Sequence, residues 1–505
     1  IPKTTDTNAN AAIKPKGNGA NVAQDPDGTA AGGNARGEYA TDWQKGRNAN
    51  TEVASGNYST IGGGERNSAS SAYSTVGGGR LNTANSIRAT ISGGQSNTAS
   101  NSYSTVSGGL SNTASATRAT VGGGEGNTAS GSHSKVGGGD DNTASSRYST
   151  ISGGQNNTAS DEYATVGGGQ NNTASNDRAT VGGGQGNTAS GGSSFIGGGL
   201  NNQATSSFST LSGGQNNTAS GVRSFLGAGL NNTASGGNST VGGGDTNTAS
   251  GEQSTVGGGN ANTASGSRSI VGGGQNNDAI AQLSFIGGGL DNTASGDRAT
   301  VGGGFNNDAT SQFSTLSGGE DNTASSGHAT VGGGQSNTAS GGRSFVGGGL
   351  SNTTTAQYST VSGGRLNTAS DFYSTVGGGA GNDATNDYST VGGGQDNIAS
   401  GAIATVSGGT RGVADKYGQF AHASGRFVSD GDAQYCRYIV RTATTEDTAN
   451  VELFLDGTGG SNRITIPEGT AYQFHIYITS IQQTGNNTKS SEITGLIRRE
   501  SGQNA

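Results

Sequence analysis

Apolar and charged residues are both scarce in this chain: of 505 residues, 28% are hydrophobic, 5% aromatic and 12% charged. Over most of the length that excludes an ordinary globular core, because too little apolar surface is available to offset the entropy of ordering the backbone. Cysteine occurs once, at Cys436, so no disulfide within the chain can staple the fold and no cysteine cluster can hold a metal. The four histidines, His133, His328, His422 and His475, lack ligand spacing and a nucleophile–base arrangement and make no catalytic case. No run of Lys and Arg interleaves with aromatics and the formal net charge is -8, so nucleic acid is not an expected partner. There is no apolar run of transmembrane length and no charged-then-apolar leader, and membrane insertion is not expected. Methionine is absent, so Ile1 is not an initiator and the chain is expected to be processed or a piece of a longer product.

Glycine is abundant, at 99 residues, and with so much Ser, Asn and Thr this would read as disorder unless a strict period intervened. A strict period is present. From Ile61 through Val76, Ile91, Val106 and Val121 to Val406, every fifteenth residue is Val, Ile or Leu. Three residues after each stands glycine, from Gly64 to Gly409. Six after stands asparagine (Asn67, Asn82, Asn97 and onward to Asn397), and two beyond that alanine (Ala69 and Ala99 among them), with Thr354 the one departure. One unit reads ATVGGGQNNTAS.

Alternation places Ala164 and Val166 on one face of a short strand and Tyr163 and Thr165 on the other. The glycine triplet, free of side chains and tolerant of positive φ, turns the chain into a second short strand at Asn172, Thr173, Ala174 and Ser175. The inward rows are then Val, Ser or Ala, Asn and Ala, and the outward rows Thr, Ser and the variable positions. Self-similarity at a fixed period predicts an all-β solenoid, a β-roll of stacked coils, followed by an antiparallel β region. The asparagine row is read as satisfying turn backbone groups. Because one valine and a few small side chains return little against the ordering of a whole coil, and two strands do not enclose a core, sister chains about a threefold axis are expected to complete the apolar contact.

Four coils replace the outward threonine by Phe195, Phe225, Phe285 and Phe345, each followed five residues later by Leu200, Leu230, Leu290 and Leu350. This pairing marks candidate trimer contacts. Two residues before the threonine, Tyr58, Tyr73, Arg88, Tyr103, Arg118, Tyr148 and Tyr163 are candidates either for surface recognition or for a seal between chains, roles in which Tyr and Arg are favoured. The outward row containing Thr60, Thr75, Thr90, Thr105 and Thr120 admits a minor ice-binding reading, against which Lys135, Phe195, Phe225 and Ile270 interrupt it. Calcium-binding β-roll repeats need an aspartate at a fixed offset, absent here, and no GKS or GKT follows a glycine turn.

Three regions follow: a lead-in or attachment segment, 1–53; a solenoid shaft, 54–417; and a β-sandwich-like domain, 418–505. The last is richer in alternating aromatic and branched residues, as in AQYCRYIVRTAT, VELFLDG, NRITIP and AYQFHIYITSI, and Cys436 is expected to be buried in it as a small hydrophobe.

The units GGGxxNTASxxxSTV from Ile61 to Val406 resemble the left-handed β-roll repeats of trimeric autotransporter adhesin heads and their relatives in phage fibres. The lead-in AIKPKGNGANVAQDPDGTAAGGNARGEYATDWQ and the stretch GQFAHASGRFVSDGDAQYCRYIVRTATTEDTANVELFLDG are similar to segments of phage tail fibre proteins. The resemblance implies a homotrimeric, host-recognition fibre in the virion, joined to other tail proteins near its N-terminus and meeting a host glycan or protein receptor distally. It supplies no catalytic residue and no cofactor, and the chain is not expected to be an enzyme. A bacterial surface adhesin or extracellular filament subunit is the alternative. A tailspike-type glycan hydrolase ranks third, since it needs paired carboxylates and Asp and Glu here are dispersed.

Overall fold

The structure, a computed structural model, describes residues 21–22, 27–29, 33–44, 46–441, 453–456, 464, 471–481 and 488–498. Two compact units divide the chain, Ile1–Ala309 and Thr310–Ala505, and among the described residues every strand-or-helix element is a strand.

In the first unit each period contributes two short strands, as at Thr165–Val166 and Thr173–Ala174. Each pairs in parallel with its equivalent in the next coil: Val166 aligns with Val181 and Ala174 with Ala189. Between them runs a third ladder of single bridges, Gln155 to Gln170 to Gln185. The fold is thus a parallel β-solenoid with three ladders per coil, and its core differs from the expectation that sister chains complete it. The third ladder supplies the side that two strands lack, so a single chain encloses its own core. Val166, Ala164, Asn172 and Ala174 all have 0% exposure, as do Ile61, Val76, Ile91, Val106, Val121, Asn67, Asn82, Asn97, Ala69 and Ala99. Coils stacked at about 4.8 Å cover one another above and below, and one branched side chain per coil suffices to fill so thin an interior.

The corners also differ from expectation. Within the glycine triplet Gly169 takes the expected positive φ (φ 87), and a Cβ added there would overlap the Gly184 carbonyl. Two further corners of most coils are left-handed at residues other than glycine, such as Tyr163 (φ 58) and Asn171 (φ 57), the second being glycine at Gly126, Gly186 and Gly381. Each such residue costs about 1–2 kcal/mol, offset by what its side chain does in the stack.

The tyrosine corner is a four-residue turn, and it has two forms. In one, the Ser149 hydroxyl donates to Ser146 O at 2.6 Å and accepts from the Ser146 N–H at 3.3 Å. In the other, the turn begins with glycine, and the Gly251 N–H donates to Ala264 O of the next coil at 3.2 Å. Ser254 Oγ is then buried without a partner, as is the corresponding hydroxyl of Ser134, Ser194, Ser224, Ser239 and Ser269.

Coil stacking reaches back beyond the strict period. Thr41–Asp42 pairs with Thr60–Ile61, and Asn21–Val22 with Thr41–Asp42. Asp42 stands where the valine row would continue, and it is fully buried. Arg36 Nε at 2.9 Å and Arg47 Nη2 at 3.0 Å meet its Oδ2, both guanidinium groups being buried. Gln44 takes the place of the next asparagine: its Oε1 accepts from Asn67 N–H at 2.7 Å and its Nε2 donates to Asn67 O at 2.8 Å.

In the second unit the same coils run from Thr315–Leu316 to Thr405–Thr410. Phe420–Ser424 then stacks in parallel on Thr405–Thr410 and pairs antiparallel with Gln434–Arg437 on its other edge. Cys436, opposite Ala421, is half-buried against the last core residues rather than enclosed. A separate antiparallel hairpin joins Ala471–Ile481 to Thr488–Arg498. Of the other strands expected near the end, 442–452 and 465–467 lie outside the described residues.

Candidate functional site: the ladders and outer rows

Each inward asparagine makes a complete set of hydrogen bonds, and the set ties one coil to the next. Asn172 accepts from the Asn187 N–H at 3.0 Å through its Oδ1. Its own N–H donates to Asn157 Oδ1 at 3.0 Å, and its Nδ2 donates to Gly168 O at 2.9 Å and Gly184 O at 2.8 Å. An amide carries both two donors and an acceptor at one position, so the side chain caps the glycine turn and spans the coil boundary together. This row is structural.

The corner row of Tyr and Arg is stacked from Tyr39 to Arg178. Tyr39, Tyr58 and Tyr73 lie face to face at 5.0 and 5.1 Å. The Arg88 guanidinium then sits 5.4 Å from the Tyr73 ring and 5.3 Å from that of Tyr103, and Arg118 covers the far face of Tyr103 at 5.5 Å. His133, which touches Arg118 at 3.2 Å, leads on to Tyr148 and Tyr163, stacked at 5.0 Å. In the second unit Tyr358, Tyr373 and Tyr388 repeat the stack. Consequently the ring faces are used up by neighbouring coils, and what faces outward is ring edges, phenol hydroxyls and guanidinium N–H groups. The sequence named these residues but not their mutual stacking, although a period matched to the strand spacing brings equivalent side chains about 4.8 Å apart.

The phenylalanines lie on a different face. Phe195, Phe225 and Phe345 are each 42% exposed, Phe285 40%, and Leu230, Leu290 and Leu350 lie between 37% and 38%; Leu200 is half-buried. Each Phe occupies the first strand of its coil and each Leu the single-bridge ladder beyond the glycine triplet. Glycine makes room for the ring: a Cβ added at Gly347 would lie 3.4 Å from Phe345 Cε1. The threonine row of the same strands, Thr60, Thr75, Thr90, Thr105 and Thr120, is half-buried.

Titratable groups are spread along the coils. Burial pushes the Asp383 carboxyl up, with a hydrogen bond to Thr368 working against it. Desolvation likewise pushes the Cys436 thiol up, although Gln419 donates to its sulfur at 3.1 Å. Around Asp432, desolvation is outweighed by the N–H groups of Phe427, Val428 and Ser429, which hold the carboxyl below its ordinary value. His328 stacks on Phe313, His422 meets Ser407, and His475 meets Glu492. Among the described residues, no three His, Cys, Asp or Glu side chains gather where they could hold a metal ion. No protein-family model and no curated protein matches the chain.

Proposed function

We propose that the chain is a structural, host-recognition fibre subunit of a phage tail. In this reading its left-handed β-roll coils form a stiff shaft, three copies associate, the N-terminal region joins other virion proteins, and a glycan or protein receptor is met distally. The observation that carries the reading is the internal bonding of the coils, in which, within each unit, the asparagine ladder and three backbone ladders hold successive coils together. Such bonding gives stiffness to a chain with little apolar core, a mechanical property with no use for a catalytic pocket. Exposed Phe195, Phe225, Phe285 and Phe345 support self-association, since isolated rings on a threonine face gain by being covered. A bacterial surface adhesin would use the same coils, and the distinction rests on where the protein is found.

Sedimentation of the full chain tests the assembly: three copies are expected, and replacing the four phenylalanines by threonine, the residue of neighbouring coils, should shift the material toward monomer with the β signal retained. A monomeric parent chain removes the trimer. Antibody labelling of purified virus particles tests the location, and label on bacterial envelopes alone transfers the reading to an adhesin.

A further inference from the structure

We infer that the corner strip of Arg88, Arg118, Lys135 and Arg147, braced by Tyr103 and Tyr148, binds a linear acidic polysaccharide. The inference adds to the host-recognition reading a glycan contact on the early coils, apart from the distal receptor, and it rests on that reading for its biological sense.

Charge sets this strip apart in an acidic protein. Along the tyrosine corner from 71 to 148 there are cations and no carboxylate. Glu125 and Asp140 of those coils lie on the bridge ladder, and Asp141 at the corner after it. Lys135 breaks the threonine row two residues beyond the corner, aligned between Thr120 and Thr150, and its side chain is exposed. Among the described residues no carboxylate pairs with Arg88, Arg118 or Lys135. The strip ends where acids return: Arg147 meets Glu162 at 3.2 Å and Arg178 meets Asp177 at 2.6 Å.

Arrangement then selects the class of polyanion. Arg88 and Arg118 are two coils apart, about 10 Å at inter-strand spacing, of the same order as the repeat of a disaccharide in an extended glycan. Both guanidinium groups lie over ring faces, and each engages one Nη1 within the row, Arg88 donating to the Tyr103 hydroxyl and Arg118 meeting His133, so their remaining N–H groups are held in place without further loss of side-chain freedom, a preorganised anion site. Single-stranded nucleic acid gains its affinity by stacking bases on open aromatic faces. Here those faces are occupied by Arg and Tyr of adjacent coils, which leaves charge and hydroxyl edges as the recognition elements. A carboxylate- or sulfate-bearing sugar chain uses those and needs no stacking platform.

The test uses the full chain and three probes of matched length: polygalacturonate, dextran sulfate and neutral dextran. Binding to at least one anionic polymer, weakening with salt, and none to neutral dextran is expected. The triple variant Arg88→Gln, Arg118→Gln, Lys135→Thr should lose at least tenfold in affinity while sedimenting as the parent does. Binding by the variant equal to the parent's, no binding of either anionic polymer by the parent, or a change of oligomeric state in the variant would each overturn the proposal, the last by showing a seal between chains. A single-stranded oligonucleotide bound more tightly than both anionic glycans also overturns it. Binding of the parent chain to intact bacteria separates the two readings: adhesion unaffected in the variant sinks the strip alone, whereas strip-dependent polymer binding without adhesion to any cell sinks the recognition role alone.

Discussion

A single hydroxyl distinguishes two kinds of coil. In several coils whose corner turn starts with Ser, Asn or Asp, the buried serine binds the first residue of that turn through both its donor and its acceptor, as Ser374 does with Asp371 at 2.6 and 3.1 Å. Where the turn starts with glycine, the N–H is redirected to the next coil and the hydroxyl is stranded, as at Ser254. The same row holds alanine in other coils, for example Ala164 and Ala299, so the backbone tolerates either residue. Ser254→Ala should therefore be neutral or stabilising by up to about 1 kcal/mol, because an unpartnered buried hydroxyl is removed. Ser149→Ala should destabilise by about 1–2 kcal/mol, because the Ser146 N–H loses its partner and Ser146 O keeps only the Ser149 N–H. Urea unfolding, with amide exchange of the two coils, measures the contrast, and equal losses at both sites would show that the stranded hydroxyl has a partner after all. This difference was not legible beforehand, since both coil types read as Ser-Thr-Val and the cause lies three residues upstream in a glycine.

At the scale of the coil, the period fixes the register. Removing 167–181 joins Val166 to Gly182, leaving every row in phase, and the neighbouring Asn157 and Asn187 become consecutive rungs able to form the bond each now makes with Asn172. That variant should keep the parent's β signal and unfold within a few degrees of it, because stability in a stacked array is close to a sum over repeats and interfaces. Removing 167–173 instead drives the polar positions Thr188, Gln203 and Thr218 into the valine row and should lose cooperative unfolding. Similar melting of the two deletions would show that stacking does not depend on side-chain rows. The rows themselves were legible: Val, Asn, Ala and the small residue before Thr recur without ambiguity, and all four are inward. The third ladder was not, because a single bridged residue of varying type, Gln, Leu, Asp or Arg, carries no strand pattern. Nor were the left-handed corners, where Tyr and Arg stand in a position usually given to Gly or Asn, the compensation being a stack visible only once coils are superposed.

At the scale of the molecule, a solenoid must end, and its last coil presents unpaired N–H and C=O groups that invite another chain. The two ends handle this differently, and neither was legible from the period because both lie where the period fails. At the first end a buried aspartate, held by Arg36 and Arg47, interrupts the valine row with a charge, and the short Asn21–Val22 strand takes the next rung of its ladder. At the other, Phe420–Ser424 takes the free edge of Thr405–Thr410 and is itself covered by Gln434–Arg437 running the opposite way. Gln434 fastens this cover, accepting from Val413 N–H and donating to Val413 O, each at 2.7 Å. A reversed strand offers the wrong polarity for another parallel coil, so growth of the stack stops there. A chain ending at Tyr417 lacks the cover and should associate end to end, its sedimentation coefficient rising with concentration while its β signal persists. A chain ending at Arg441 keeps both capping strands and should remain at the parent's size. Concentration-independent sedimentation of the shorter chain would show that the open edge of Thr405–Thr410 is harmless and that the antiparallel strand serves another purpose.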